Sequence, residues 1–243
     1  MNLVIDQGNS SVKVALFEQD NLLKAGQWEH WSPDSFYNWL EGNLPDAVIL
    51  SSVQKTDEYL NQFLNDTFCV FYQLTYKFPV PLKIDYQSPE TLGMDRIAAA
   101  VGAWQQQPNR NLLIIDIGTA ITIDYVSPSG IYRGGNISPG PELRFKALHQ
   151  FTGQLPLIEE EGETPLLGFD TATAIRSGVM NGIERELNSY IEEFQKNEPV
   201  FTFLTGGYAF YFESKLKNTI FADENLVLKG LNAIIQYNQR KNK

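Results

Sequence analysis

The feature that most constrains the fold of this 243-residue chain is an internal duplication. Residues 2–10 recur in outline at 112–120, and each copy is an apolar run followed by Asp-x-Gly and small polar residues. In both copies a second and a third apolar run follow after short turns, which predicts three consecutive strands. Asp6 and Asp116 lie 110 residues apart, a domain-sized period that argues against a solenoid.

After each block of three strands the pattern changes to alternating helices and strands. The predicted helices span 32–41, 57–65, 93–107, 141–151, 171–196, 207–217 and 226–240, and the predicted further strands span 46–51, 68–74 and 200–204. We therefore expect an α/β chain with two ribonuclease-H-like domains, 1–110 and 111–243, whose mixed sheets flank a cleft. The acidic segment 159–163 is predicted to be a solvated loop.

Composition narrows the function classes. The chain has 29 acidic and 19 basic residues, a formal net charge of -10, which argues against general nucleic-acid binding and against anionic membranes. The single Cys excludes an intrachain disulfide, and the two separated His argue against a His-rich metal site. Without a basic leader or an apolar run of ~20 residues, the chain is expected to be cytoplasmic, with no membrane partner.

Several individual residues receive a structural interpretation. Cys69 is expected to be buried in a strand, and His149 to be a packing or surface residue on a helix. Trp28, Trp31 and Trp39 are expected to pack near the first helix, with an aromatic ligand platform as the alternative.

The first segment that carries chemistry follows the first strand. It reads Asp6, Gln7, Gly8, Asn9, Ser10, Ser11, Val12, Lys13. A Gly in a tight turn lets backbone N–H groups approach an anion, the short polar side chains add donors, and Lys13 adds a positive charge. Asp6 could hold Mg²⁺ at bound phosphates. The alternative is an ordinary hairpin turn, since all these residue types are common in turns.

The second copy reads Asp116-Ile117-Gly118-Thr119-Ala120, followed by Thr122 and Asp124. Two facing Gly turns would clamp a polyphosphate, so the repeat favours a nucleotide over two plain hairpins. The Gly-x-x-x-x-Gly-Lys-[Ser/Thr] sequence of P-loop proteins does not occur, and neither do the protein-kinase His-Arg-Asp and Asp-Phe-Gly motifs.

Three further segments have both a functional and a structural interpretation. Gly93-Met94-Asp95-Arg96 opens a predicted helix, where Asp95 is either a base for an acceptor hydroxyl or a helix cap with a salt bridge. The Gly- and Pro-rich segment 134–141 is a rigid connection or a close approach to a small substrate. The Gly pair Gly206-Gly207 ends a strand and opens a helix, where a base or ribose could lie.

Taken together, these motifs resemble those of one family, the type III pantothenate kinases, in order and in spacing from residue 6 to 207. That family belongs to the superfamily of acetate kinases, sugar kinases, heat-shock chaperone ATPases and actin. The resemblance implies actin-like ATPase domains and ATP-dependent phosphorylation of pantothenate to 4′-phosphopantothenate, the first step of coenzyme A biosynthesis. It also implies Mg²⁺, a monovalent cation (K⁺ or NH₄⁺) and a homodimer.

The resemblance also implies roles for individual residues. The ATP-binding set would be Asp6, Gln7, Gly8, Asn9, Ser10, Ser11, Val12, Lys13, Thr119, Gly206 and Gly207. The pantothenate-binding set would be Tyr86, Gly93, Met94, Asp95, Arg96 and Thr171. Asp95 would be the general base, Asp116 would hold the monovalent cation, and Thr171 would act across the dimer interface.

Two other functions stay open at this point. The chain could be a kinase for another small acid or sugar, with the same phosphate clamp. It could also be an accessory factor for transcription or a filament-forming protein, although such a role would not require Asp95 and Arg96 together.

Overall fold

The computed structural model describes residues 1–53, 58–196, 198–217 and 220–241. Within these residues the elements are β1 (Asn2–Gln7), β2 (Val12–Glu18), β3 (Asn21–Trp28), α1 (Pro33–Leu40), β4 (Ala47–Ser52), α2 (Glu58–Thr67), β5 (Phe71–Gln73), β6 (Lys83–Ile84), α3 (Met94–Gln106), β7 (Asn111–Ile117), β8 (Ala120–Val126), β9 (Ile131–Pro139), α4 (Pro141–Gln150), α5 (Thr171–Gln195), β10 (Val200–Thr205), α6 (Ala209–Glu213), β11 (Ile220–Ala222) and α7 (Leu226–Lys241). A short 3₁₀ helix covers Pro89–Thr91.

The chain divides into two compact units. The first comprises Met1–Asn109, Val126–Gly134 and Asn225–Lys243, and the second comprises Arg110–Tyr125 and Gly135–Glu224. The segments 126–134 and 225–243 thus group with the first unit, whereas the division of the chain into domains 1–110 and 111–243 stays a prediction.

The first unit contains a five-stranded mixed sheet in the order β3-β2-β1-β4-β5. Strand β1 pairs antiparallel with β2 and parallel with β4, and β4 pairs parallel with β5. The central strand β1 is almost wholly buried, whereas every second residue of the edge strand β3 is exposed. This is the predicted antiparallel start that continues into parallel strands.

Helices cover this sheet. Helix α1 begins at a capping box, in which the Ser32 hydroxyl accepts from the backbone N–H of Ser35 and the Ser35 hydroxyl accepts from that of Ser32. Helices α3 and α7 approach each other closely at Gly102 and Gly230, where a Cβ would overlap the facing backbone. This close packing explains why the C-terminal helix belongs to the first unit.

The second unit repeats the arrangement of the first. The second sheet has six strands in the order β11-β10-β7-β8-β9-β6, and β10 pairs parallel with both β7 and β11. Apart from β6, three consecutive strands followed by two parallel ones occur in both sheets in the same spatial order. The duplication in the sequence is thus a duplication of topology, and the α/β class with two mixed sheets is confirmed.

The core of the second unit lies between this sheet and its helices. Ile115, Ile183, Leu187 and Phe212 are fully buried in it. Helix α5 begins at Asp170, whose side chain accepts from the backbone N–H of Thr173 at 2.8 Å. That hydrogen bond is the main reason why the pKa of Asp170 is lowered. No helix of the described residues is long and apolar enough to cross a membrane.

Some sequence predictions differ from the structure. Cys69 is exposed in the bend after α2, and the strand there begins only at Phe71, so its burial in a strand was predicted wrongly. Helix α6 is shorter than the predicted 207–217, because a Gly turn precedes it and the backbone N–H of Lys217 bonds to Asn188. The predicted helix start at Asp57 lies outside the described residues.

The tryptophan prediction is confirmed. Trp28 and Trp31 lie 5.1 and 5.9 Å from Phe36 of α1, measured between ring centroids, and Trp39 contacts Trp28 edge-on. His149 is exposed, which agrees with the predicted alternative of a surface residue on a helix. Its Nδ1 lies 2.8 Å from the carbonyl oxygen of Leu155. Strands β6 and β11 were missed because two and three residues are too short for a periodic pattern.

Candidate functional site

The first Asp-x-Gly turn lies between β1 and β2 in the first unit. The backbone N–H of Gly8 donates to the carbonyl oxygen of Ser11 at 2.9 Å and closes the turn. Asn9 and Ser10 are exposed at its tip, and the Ser11 hydroxyl accepts from the Gln27 amide at 3.0 Å. A cavity of about 490 Å³ opens beside the turn, lined also by Glu29, His30 and Trp31. The turn is therefore accessible to a ligand.

The carboxylate and the ammonium of this segment share one face of the sheet. Asp6 and Lys13 are directly opposed across the antiparallel β1–β2 pair, and both are partly buried. Asp6 is also the register partner of Ser51 on β4. This places a carboxylate, an ammonium and a hydroxyl together at one edge of the sheet.

Two members of the predicted ATP-binding set have buried side chains. Gln7 is 5 % exposed, and its side-chain carbonyl accepts from the Ser52 hydroxyl at 3.0 Å. Val12 is 4 % exposed and belongs to the core of the first unit. Only the backbone groups of these two residues can therefore serve a ligand without rearrangement.

The segment 93–96 opens helix α3. Gly93 is the N-cap residue, and Asp95 lies in the first turn with its Oδ1 accepting from the backbone N–H of Arg96 at 2.8 Å. A Cβ on residue 93 would lie 2.4 Å from that Oδ1, so only Gly leaves the carboxylate in this place. Asp95 is partly exposed, whereas Arg96 is 6 % exposed. The helix thus has no side-chain cap, and the Asp95 carboxylate accepts a first-turn N–H while solvent can still reach it.

Tyr86 also belongs to the first unit. Its ring lies against Gly134, with two ring carbons 3.0 Å from the position that a Cβ would take there. The ring centroid is 6.3 Å from that of Tyr132, and the neighbouring Asp85 forms an ion pair with Arg133. Gly134 therefore has a packing role beneath the aromatic ring to which the family resemblance assigns a contact with substrate.

The second Asp-x-Gly turn lies between β7 and β8 in the second unit. The backbone N–H of Gly118 donates to the carbonyl oxygen of Ala120, and the carbonyl oxygen of the exposed Thr119 accepts from Gly140 at 2.9 Å. Asp116 is the last residue but one of β7 and is the register partner of Thr205 on β10. The turn and its surroundings thus repeat those of Asp6 and Ser51.

Gly206 lies directly against Asp116. Its φ is +87°, and a Cβ there would lie 2.4 Å from Asp116 Oδ1 and 2.5 Å from the carbonyl oxygen of Ile117. Gly207 is exposed and has no neighbouring atoms within 4 Å of its Cβ position. The structure therefore brings together the second Asp-x-Gly turn and the Gly pair, which are about 90 residues apart in sequence.

Thr171 also belongs to the second unit. It is the first residue of α5, is exposed, and lines an apolar cavity of about 880 Å³ between α4 and α5. Pro139, the residue before Gly140, lines the same cavity.

The sequence did not indicate two buried hydroxyl groups and one hydrogen bond to a carboxylate. Ser51 and Thr205 are fully buried, and their hydroxyl oxygens have no hydrogen-bond partner among the described residues. The Tyr208 hydroxyl donates to the carboxylate of Glu160, in the segment predicted to be simply solvated. Burial, helped by this bond, raises the pKa of Tyr208 well above its usual value. No pattern in the sequence links residues 160 and 208.

The donors at the two turns suit cations that also contact phosphates. Among the described residues, no three His, Cys, Asp or Glu side chains gather into a metal cage. Mg²⁺ does not need such a cage, because it usually takes one or two carboxylates together with substrate phosphates and water. Asp6 and Asp116, each with a buried hydroxyl in register, fit that description.

Comparison with known proteins gives one family. The profile of the type III pantothenate kinases matches residues 2–193. A protein named type III pantothenate kinase from Azobacteroides pseudotrichonymphae is 55 % identical over 240 residues, covering 99 % of this chain and 98 % of its own. One of the same name from Phocaeicola vulgatus is 43 % identical over 247 residues, covering 99 % and 100 %.

Solved structures agree on the fold. A Campylobacter jejuni protein described as a Baf family transcriptional activator has a TM-score of 0.66 at 24 % identity, covering 98 % of this chain and 99 % of its own. The activator of 2-hydroxyisocaproyl-CoA dehydratase from Clostridium difficile, with bound ADPNP, has a TM-score of 0.57 at 11 % identity, covering 99 % and 96 %. At these identities the likeness concerns the two-sheet, ribonuclease-H-like fold alone.

Proposed function

The chain belongs to the type III pantothenate kinase family, and from that premise we propose that it transfers the γ-phosphoryl group of ATP to the hydroxyl of pantothenate. The products are ADP and 4′-phosphopantothenate, in the first step of coenzyme A biosynthesis. The observation that carries the proposal is the repeated Asp-x-Gly turn at the end of the central strand of each sheet. We also propose that the chain acts in the cytoplasm.

In this proposal each of the two turns is a phosphate-binding element for ATP. Support comes from the open turn at residues 8–11, from Lys13 opposite Asp6, and from the exposed Thr119. Gly207 would accept the adenosine, because its backbone is exposed and no side chain stands in front of it. A chain with a net charge of -10 can bind a polyanion in this way, since the positive potential it needs is local.

Asp95 is the proposed general base. Phosphoryl transfer asks little covalent chemistry of the protein, and an oriented carboxylate that accepts the hydroxyl proton is sufficient. The helix N-terminus and the Arg96 N–H hold this carboxylate in one place. Tyr86, Gly93, Met94 and Arg96 are the proposed pantothenate contacts of the same unit.

Cations complete the proposed site. Asp6 is assigned to Mg²⁺ and Asp116 to a monovalent cation, K⁺ or NH₄⁺. When bound, these ions would neutralise part of the phosphate charge, to which Lys13 is the one positively charged side chain of the first turn that contributes.

We also propose a homodimer formed through the second unit. Its exposed apolar side chains include Ile137, Leu143, Phe151, Leu157, Leu166, Leu167 and Phe169. Leu143 and Phe151 also line the apolar cavity between α4 and α5, and an exposed apolar patch is typical of a protein interface. Thr171 lines the apolar cavity between α4 and α5, so its proposed contact with pantothenate of the partner subunit is consistent with this surface.

An assay of ADP release tests the proposal. Purified chain with Mg·ATP should release ADP when pantothenate is added and not with a panel of sugars or other small hydroxy acids. Replacement of K⁺ by Na⁺ should lower the rate. Release that is independent of pantothenate, or that depends on a sugar, would assign the chain to another reaction.

A further inference from the structure

One carboxylate of the acidic segment 159–163 differs from the others. Glu159, Glu161 and Glu163 are exposed, whereas Glu160 is partly buried. The hydroxyl of Tyr208 lies 2.5 Å from both carboxylate oxygens of Glu160 and donates to them. A loop that looks merely solvated in sequence thus has one specific bond to a distant part of the second unit.

Tyr208 is fixed at three points. Its ring packs against the core of the second unit, its hydroxyl bonds to Glu160, and its backbone N–H donates to the carbonyl oxygen of Ile117 at 3.2 Å. The phenol is protonated at physiological pH and can donate to Glu160. Burial and the neighbouring carboxylate raise its pKa still further from that pH.

The residues that Tyr208 anchors are the Gly pair. Gly206 and Gly207 have no side chains of their own, so the position of their backbone depends on the residues that flank them. On one side Thr205 ends strand β10, and on the other side Tyr208 bonds to the residue after Asp116. This turn lies at the carboxyl ends of the parallel strands β7 and β10, the edge at which open α/β sheets bind ligands.

We propose that Glu160 is a positioning residue for the nucleotide: through Tyr208 it holds the Gly206–Gly207 backbone against Asp116. The inference rests on the proposed function, which assigns the nucleotide to this turn. Neither Glu160 nor Tyr208 needs to touch the nucleotide for this role.

Removal of the carboxylate is the first test. Glu160→Ala leaves the partly buried Tyr208 hydroxyl without its acceptor and frees the anchor of the Gly pair. The KM for ATP, from steady-state kinetics, and the Kd for Mg·ADP, from calorimetry, should each rise by roughly tenfold. The kcat and the KM for pantothenate should stay within about twofold of their wild-type values. A merely structural role would change all four quantities together or none of them.

Matched variants isolate the bond. Glu160→Gln keeps an acceptor and should restore most of the affinity, and Glu161→Ala removes the same charge from an exposed neighbour and should leave both constants unchanged. Tyr208→Phe should raise the KM for ATP and the Kd for Mg·ADP as much as Glu160→Ala does. The double variant should bind Mg·ADP no more weakly than either single variant, because both substitutions remove the same interaction.

Several outcomes would overturn the inference. An unchanged Kd for Mg·ADP in a folded Glu160→Ala protein, an equal effect of Glu161→Ala, or additive effects in the double variant would each do so. If Glu160→Ala melts below the assay temperature, Tyr208→Phe decides alone, since it deletes the bond and keeps the ring. The calorimetric Kd does not require turnover, so a wild-type protein that binds Mg·ADP but ignores pantothenate refutes the proposed function and leaves this test standing.

Discussion

Substitution of Gly206 by Ala gives the most sharply defined perturbation of the proposed nucleotide site. The residue has a φ of +87°, and an added Cβ would lie 2.4 Å from Asp116 Oδ1 and 2.5 Å from the carbonyl oxygen of Ile117. One methyl group thus strains the backbone and displaces the carboxylate to which we assign the monovalent cation.

The magnitude follows from these two effects. A left-handed backbone costs a non-glycine residue about 1–2 kcal/mol, and forced overlap with packed atoms costs about 1–3 kcal/mol more. A loss of roughly 2–5 kcal/mol lowers the melting temperature of a chain of this size by about 4–20 °C. Displacement of Asp116 should in addition raise the KM for ATP about tenfold or more, equivalent to about 1.4 kcal/mol of binding free energy.

The adjacent glycine supplies the control for the effect on stability. Gly207 has open space around its Cβ position and no left-handed φ, so Gly207→Ala should change stability by less than about 1 kcal/mol. Calorimetric melting and steady-state kinetics at varied ATP and K⁺ would be measured on both variants beside the wild type.

Two results would refute this reasoning. If Gly206→Ala melts and binds ATP like the wild type, the contact between Gly206 and Asp116 does not constrain the site. If Gly206→Ala is destabilised but its KM for ATP and its K⁺ activation are unchanged, Asp116 does not serve the nucleotide and its cation.

Two further substitutions test other parts of the account. Asp95→Asn keeps the acceptor for the Arg96 N–H, so it should fold and bind ATP while kcat falls by ~10²-fold or more. Asp34→Asn, at the same position in the first turn of α1, should leave kcat unchanged. Near-normal turnover of Asp95→Asn would leave Asp95 only its bond to the Arg96 N–H. The double substitution Leu166→Glu with Leu167→Glu should convert a dimer to a monomer, measured by light scattering. Leu44 of the first unit is similarly exposed, and Leu44→Glu should leave the dimer intact. A double variant that stays dimeric would place the interface on another surface.

The duplicated pattern made most of the fold predictable. Apolar runs separated by Gly turns occur twice, and the two sheets repeat one strand order, because each half must bury the same kind of strand faces. Helices α3, α4, α5 and α7 agree with their predicted ranges to within one residue at each end, since each has a long apolar periodicity or a clear start signal.

What sequence could not supply depends on contacts between distant residues. Strands β6 and β11 are too short to carry a period, and they exist because β9 and β10 offer partners. The burial of Gln7 follows from its bond to Ser52, and no local rule gives it. The bond between Tyr208 and Glu160 spans 48 residues, so composition alone left Glu160 in a solvated loop.

The turns themselves show the same division. Sequence identified Asp116 and Gly206 as separate candidates, each with a plain structural alternative. An added Cβ on Gly206 would lie 2.4 Å from Asp116 Oδ1. The two residues are this close because β7 and β10 pair in parallel, with Asp116 opposite Thr205. Two weak local signals thus become one site only through the sheet.

The central claim is the transfer of phosphate from ATP to pantothenate. The most direct test incubates the purified chain with pantothenate and ATP labelled at the γ-phosphoryl group, and identifies the labelled product by mass spectrometry. The account predicts labelled 4′-phosphopantothenate from the wild type, and a rate of formation by Asp95→Asn that is lower by ~10²-fold or more. Label that appears only in free phosphate, or that stays in ATP in the presence of Mg²⁺ and K⁺, would contradict it.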